Sequence, residues 1–358
     1  MRVFEVRRDD LRRSRLLDLA TPEPEPGQAL LDVDAFGLTS NNITYAVLGE
    51  AMSYWQFFPA AEEEWGRIPV WGFARVAASE HGELPEGTRV YGYLPLSTDL
   101  VVAPDRVDER GFVDASPHRA ELPAVYNSYL RVDADPAYDA RYEDQQMLLR
   151  PLFLTSFLLD DYLADESFFG AETVVISSAS SKTALAAGFL LARRERVEVI
   201  GLTSPRNVEF VEGTGVYDRV APYGEVASLP ATTAVYVDFA GDGELRAAIH
   251  RHYGGRLAHS AMVGATHWDR MAGDPDSLPG PPPAFFFAPD RIEARTRDWG
   301  REELLARSAE AWREYVGSTR RWLDVVHGRG PEAVEGAYRE LLEGRTDPAV
   351  GHVLSLAP

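Results

Sequence analysis

Through the first hundred residues, apolar and polar positions alternate with a period of two. In QALLDVDAFGLT, residues 28–39, Leu31, Val33 and Ala35 alternate against polar partners. That is the signature of a half-buried strand. FARVAAS (73–79), TRVYGYL (88–94) and TDLVVAP (98–104) read as further short strands, with PEPEPG, LPEG and YLPL as the punctuation between them. Strands this short and this closely spaced predict a small barrel-like domain.

The period changes near residue 142. Apolar residues at 148, 149, 152, 153, 157, 158 and 159 predict a helix over 142–168, bent or restarted at Pro151. Strand and helix patterns then alternate. TVVIS precedes KTALAAGFLLARR, VEVIGLT (197–203) precedes RNVEFVEGTG, TAVYVDFA (233–240) precedes GELRAAIHRHYG, and RLAHSAMVGA (256–265) closes the series. This order predicts a parallel sheet with crossover helices. The Pro-rich stretch 273–290 reads as irregular, two amphipathic helices are expected near 300–326 and 331–343, and GHVLSL (351–356) is a final apolar run.

Composition narrows the function classes. A chain of 358 residues predicts two domains. No run of 18 or more apolar residues occurs, and MRVFEVRRDDLRRSR lacks the apolar core of a secretory signal, so a cytoplasmic location is the expectation. The absence of cysteine excludes disulfides and Cys-ligated zinc. A net charge of −20 disfavours nucleic acid and anionic membranes as partners and leaves a small molecule. Lys182 is the only lysine, and all other basic residues are arginine.

That lysine opens a helix directly after a strand, in ISSASSKTALAAGF, residues 176–189. A dinucleotide-binding turn must bend tightly, let backbone approach a pyrophosphate and pack its helix closely on the sheet. Glycine usually serves all three needs. Here Ser178, Ala179, Ser180 and Ser181 are small, and Ala184 stands at the packing position. Lys182 opposes the helix dipole unless an anion is bound; the alternative is a solvated lysine. A P-loop is excluded, because it needs glycines at Ile176 and Ser181. The second strand ends in GLTSPRN, with Thr203, Ser204, Arg206 and Asn207 and no acid. Hydroxyls followed by arginine suit a 2′-phosphate, and so NADP(H) rather than NAD(H). Ser204 also reads as a helix N-cap, and both roles can hold together.

These segments resemble the medium-chain dehydrogenase/reductase superfamily, in its quinone-oxidoreductase-like branch. VVISSASSKTALAAGFLLA is similar to that branch's strand, turn and helix without a gap, its three glycine positions falling on Ser178, Ser181 and Ala184. AFGLTSNN, PVWGFARVAAS, GVYDRVAPY, VYVDFAGDGELRAAI, RLAHSAMVG and GHVLSL resemble further family stretches in order. LTSNNITYAVLGEAMSYWQFFPA and PVWGF look closer still to an uncharacterised bacterial subfamily known only as a domain of unknown function.

The resemblance implies an α/β chain. A GroES-like β-barrel domain at 1–143, completed by 285–358, accompanies a Rossmann-like parallel-sheet domain at 144–284. It implies NADP(H) held by Ser178, Ser180, Ser181, Lys182, Thr183, Thr203, Ser204, Arg206, Asn207, Tyr223, Ala240 and Gly264. Zinc is not expected, since Thr39 and WGF stand where zinc-dependent members carry a cysteine and G-H-E. The implied reaction is hydride transfer to a quinone, an enone or another activated carbonyl. Asn42, Tyr45, Tyr54, Tyr126 and His267 are the candidate donors to the acceptor oxygen. Aromatic groups at Tyr54–Phe58, Phe285–Phe287 and Trp268/Trp299 fit an apolar or aromatic substrate, or simply core packing. A homodimer is a family-level expectation. The alternative is an NADP(H)-binding sensor or scaffold without catalysis.

Overall fold

The computed structural model describes residues 1–263 and 278–357. It divides into two compact units, Met1–Leu148 with Asp324–Pro358, and Leu149–Leu323.

The first unit opens with β1 (Arg2–Arg7), β2 (Ser14–Asp18), β3 (Ala29–Leu38) and a short helix α1 (Ser40–Val47). There follow β4 (Trp65–Gly66), β5 (Pro69–Ser79), β6 (Arg89–Pro95), β7 (Asp99–Val102), β8 (Pro104–Asp108), β9 (Gly111–Asp114) and β10 (Ser128–Arg131). Alternation decides which faces are buried. In β3, Leu31 and Val33 turn into a core with Val70, Val76, Val90 and Leu94, while Asp32 is exposed. β3, β5 and β6 pair antiparallel, and β1, β2 and β4 form a separate antiparallel sheet.

Helix α2 (Glu143–Asp165) runs unbroken through Pro151. Leu148, Leu149, Leu152 and Phe153 around that proline are all buried, and this apolar stripe holds the helix where proline alone would break it.

The second unit is doubly wound. β11 (Thr173–Ile176), α3 (Lys182–Ala192), β12 (Glu198–Thr203), α4 (Val208–Thr214), β13 (Arg219–Pro222), β14 (Ala234–Asp238), α5 (Gly243–Tyr253), β15 (Leu257–Met262) and β16 (Ala284–Phe285) follow in sequence. In space the strands lie in the order β13-β12-β11-β14-β15-β16, every pair parallel. Within the unit that is 3-2-1-4-5-6, the Rossmann order, whose switch point lies between its first and fourth strands.

Two helices complete this unit, α6 (Ala288–Trp299) and α7 (Arg301–Thr319). The first unit then resumes with β17 (Asp324–Arg329), α8 (Gly330–Leu342) and β18 (Val350–Ser355). The return therefore begins at Asp324, not at 285. The reason is packing: Trp312 of α7 meets Phe153 edge-on at 5.4 Å, Tyr315 stacks on it at 5.2 Å, and Tyr315 also meets Phe189. β18 sits between β17 and β3, and Val334, Ala337, Tyr338 and Leu341 of α8 join the first unit's core. No described helix is long and apolar enough to cross a membrane.

Candidate functional site

The turn between β11 and α3 keeps a glycine-like shape without glycine. Ser178 has φ +53°, the left-handed conformation expected of the first glycine position. Ser181 is the N-cap of α3, its hydroxyl accepting from the Ala184 N–H at 3.3 Å. Ala184 is fully buried, as close packing of helix on sheet requires. The missing glycines have moved to neighbours. A Cβ on Gly201 of β12 would come within 2.9 Å of Ala179, and one on Gly188 within 2.7 Å of the Tyr217 ring. Tyr217 fills the room so created and donates its phenol to the Ala179 carbonyl at 3.0 Å.

The polar residues predicted for the adenosine side come together. Ser180 Oγ accepts from Asn207 Nδ2 at 3.0 Å and from Thr203 Oγ1 at 3.4 Å. Ser204 Oγ is buried without a hydrogen-bond partner among the described residues, and Arg206 is exposed on the following turn. Thr183 is half-buried, and its carbonyl accepts from Ser156 Oγ at 2.8 Å. Burial pushes the Tyr223 phenol up to about 12, and hydrogen bonding with Ser178 opposes the rise. A set of hydroxyls, an amide, a guanidinium and an ammonium, with no carboxylate from Thr203 to Asn207, suits an anion at this end of the sheet.

Sequence reasoning missed the network beneath the turn. The parallel register of β11 on β14 brings Ser177 beside Asp238. Ser177 Oγ donates to Asp238 Oδ1 at 2.9 Å and accepts the N–H groups of Phe239 and Ala240, both at 3.0 Å. Gly241 N–H also reaches Oδ1, at 2.9 Å. Ala240 thus acts through its backbone and is itself buried. This knot ties the two strand ends that flank the switch point. Its only sequence trace is a polar pair in ISS and VDFAG, inside otherwise apolar strands.

In the first unit, Tyr45, Tyr54 and Tyr126 converge with Tyr93, Phe57 and Trp71. The Tyr45 and Tyr54 rings are 4.7 Å apart, as are those of Tyr93 and Tyr126. The Tyr54 and Tyr126 hydroxyls lie 3.4 Å apart, and Trp71 Nε1 donates to Tyr45 Oη at 3.4 Å. Burial raises all three phenols above their ordinary value, so their neutral, protonated forms are favoured further. Asn42 is committed elsewhere. Its Oδ1 accepts the Thr39 N–H at 2.7 Å in a capping box, and its Nδ2 donates to the Pro69 carbonyl at 2.8 Å. Of the other aromatic groups, Phe285 is 62% exposed beside Phe287, and Trp299 lies between Arg295 and Arg307. Gly264, His267 and Trp268 lie outside the described residues. Among those residues no His, Asp and Glu group is placed to hold a metal ion.

Solved structures share this architecture. CurA from Vibrio vulnificus, in complex with NADPH, superposes with a TM-score of 0.65 at 14% identity, covering 100% of both chains. The quinone oxidoreductase from Coxiella burnetii gives 0.55 at 12% identity, covering 99% of this chain and 98% of that one. A probable oxidoreductase from Mycobacterium abscessus gives 0.57 at 15% identity, covering 100% and 99%. The common fold is that of the medium-chain dehydrogenase/reductases, a GroES-like unit with a Rossmann unit. No curated protein matches the chain in sequence. A family model described as a protein of unknown function, DUF2855, matches residues 36–347. With most of its length inside that match and its fold that of the medium-chain dehydrogenase/reductases, the chain belongs to the DUF2855 family.

Proposed function

We propose that this protein binds NADP(H) and reduces a quinone, an enone or another activated carbonyl with an apolar or aromatic body. The observation that carries the reading is the turn after β11. Ser178 takes the left-handed backbone, Ser181 caps the helix, and Lys182 stands at the helix entrance. The Ser180–Thr203–Asn207 cluster beside Arg206 supports the phosphorylated cofactor over NAD(H), because the segment from Thr203 to Asn207 carries no carboxylate to take ribose hydroxyls. That CurA is similar in fold and was solved with NADPH adds to this.

When bound, NADPH supplies the hydride. The chain's own part is to hold phosphates with Lys182, Arg206 and the α3 N-terminus, and to keep phenols protonated for an acceptor oxygen. Tyr54 and Tyr126 fit that second role. A second reading, a cofactor-binding sensor, is favoured by one observation: those two hydroxyls face each other, at 3.4 Å.

Titration with NADPH and NADH, followed by tryptophan fluorescence, tests the reading. Lys182→Ala and Arg206→Ala should each weaken NADPH by about tenfold. Arg206→Ala should leave NADH unchanged; an equal loss for both cofactors rejects the 2′-phosphate assignment. NADPH binding without oxidation across quinones, enones and aldehydes would favour the sensor, and no binding of either cofactor would sink both readings.

A further inference from the structure

Arg246 stands in the first turn of α5, where its backbone N–H bonds the N-cap Asp242 carbonyl at 3.0 Å. Its side chain meets the last residues of β14 and β15, Asp238 and Met262, which are partners in the strand register. Nη1 donates to the Met262 sulfur, a weak acceptor. Nε lies 3.8 Å from Asp238 Oδ2, beyond hydrogen-bond reach. The guanidinium is only 13% exposed, yet no carboxylate accepts a hydrogen bond from it among the described residues. Other sheltered arginines differ. Arg15 bonds Glu5, Arg119 bonds Asp114 and Arg295 bonds Asp161, at 2.7, 2.8 and 2.7 Å.

The facing carboxyl is open in the same way. Asp238 is 1% exposed, Oδ1 is filled by Ser177 and Gly241, and among the described residues Oδ2 accepts no geometrically formed hydrogen bond, the likewise unpartnered Tyr236 phenol being its electrostatic neighbour. A cation and a carboxyl oxygen thus confront each other without closing, at the carboxyl ends of two adjacent parallel strands. In doubly wound sheets ligands bind outside those ends. Sheltering a cation from water is unfavourable unless a partner completes its hydrogen bonds.

We propose that Arg246 anchors an oxyanion, a phosphate or a carboxylate, on the ligand bound over the ends of β14 and β15. Its planar fork suits either group. Asp238 is a positioning residue: pinned through Oδ1, it holds the guanidinium by charge and leaves its donors for the ligand. The proposal rests on the reading that this edge of the sheet binds the ligand, and it adds a contact beyond the turn after β11.

Calorimetry on the full chain, with inorganic pyrophosphate and benzoate as probes, tests it in the wild type, Arg246→Met, Arg246→Lys and Lys182→Ala. Arg246→Met should weaken at least one probe by about tenfold or more, with Arg246→Lys intermediate. Equal affinities in wild type and Arg246→Met overturn the proposal. So does pyrophosphate binding that only Lys182→Ala reduces when benzoate binding is also unchanged in Arg246→Met, or a wild type that binds neither probe at millimolar concentration. NADPH titrations identify the source of the anion. Weaker NADPH in Arg246→Met assigns it to a cofactor phosphate, while unchanged NADPH with lost benzoate binding assigns it to an acceptor carboxylate. A wild type that binds the probes through Arg246 but not NADPH would reject the cofactor reading and keep the anchor. Circular dichroism checks that each variant is folded, and Arg246→Lys keeps the test open if Arg246→Met is not.

Discussion

Burial raises the Asp238 carboxyl above its ordinary value of 3.8. The folded state therefore holds that proton more tightly than the unfolded chain does. The resulting stability is complete below the unfolded value and is lost as pH rises through the folded one. Asn at this position never ionises, and it retains an oxygen for Ser177 and Gly241. The unfolding free energy of Asp238→Asn minus that of the wild type should therefore climb as pH rises above about 4. Denaturant titrations at several pH values check this, and a flat or falling difference counts against it. Residues acting through local backbone geometry were legible in the sequence. Ser178, Ser181 and Ala184 occupy the three positions that a glycine turn would. Ser177, Tyr217, Asp238 and Arg246 were not legible. Their roles come from strand register and from glycines on neighbouring elements, which no short window of sequence contains.

Among elements, α6 escaped the sequence reading and α2 did not. The residues of α2 pack on an apolar stripe, whereas Arg295 is the only buried residue of α6. What fastens α6 is charge. Asp161 accepts from Arg291 Nε and Nη2, at 3.2 and 2.8 Å, and from Arg295 Nε at 2.7 Å. Asp165 takes second contacts from both arginines, at 2.8 and 2.9 Å. Hydrophobic periodicity cannot detect a helix held this way. Asp161→Asn leaves two sheltered guanidinium groups short of charge and should cost about 2 kcal/mol of stability, within the range for breaking a partly buried pair. Asp298→Asn removes a more exposed contact and should cost less than about 1 kcal/mol. Urea unfolding of the two variants compares them, and equal losses would mean the Asp161 contacts contribute no more than a surface pair.

For the whole molecule, the alternating patterns gave the class of each sheet, and the order 3-2-1-4-5-6 agrees with the Rossmann expectation. The point of return was not legible, because α6 and α7 carry no local mark of the unit they join. The second unit is one continuous stretch of chain, while the first is built from both ends. A fragment spanning residues 143–323 should therefore fold with a cooperative thermal transition, whereas residues 1–148 alone should not. The latter lack β18 and the α8 side chains that close their core. Calorimetry on the two fragments decides, and a cooperative transition in 1–148 would contradict this account of the core. The interruption also sets a schedule during synthesis. Phe36, Gly37 and Leu38 of β3 pair with Leu354, Val353 and His352 of β18. About 310 residues separate Leu38 from that strand, so at about 5–20 residues per second this stretch of β3 waits ~15–60 s for its neighbour. During that interval its unpaired backbone is open to other chains, so misassembly of the nascent protein should begin at β3, not in the doubly wound unit.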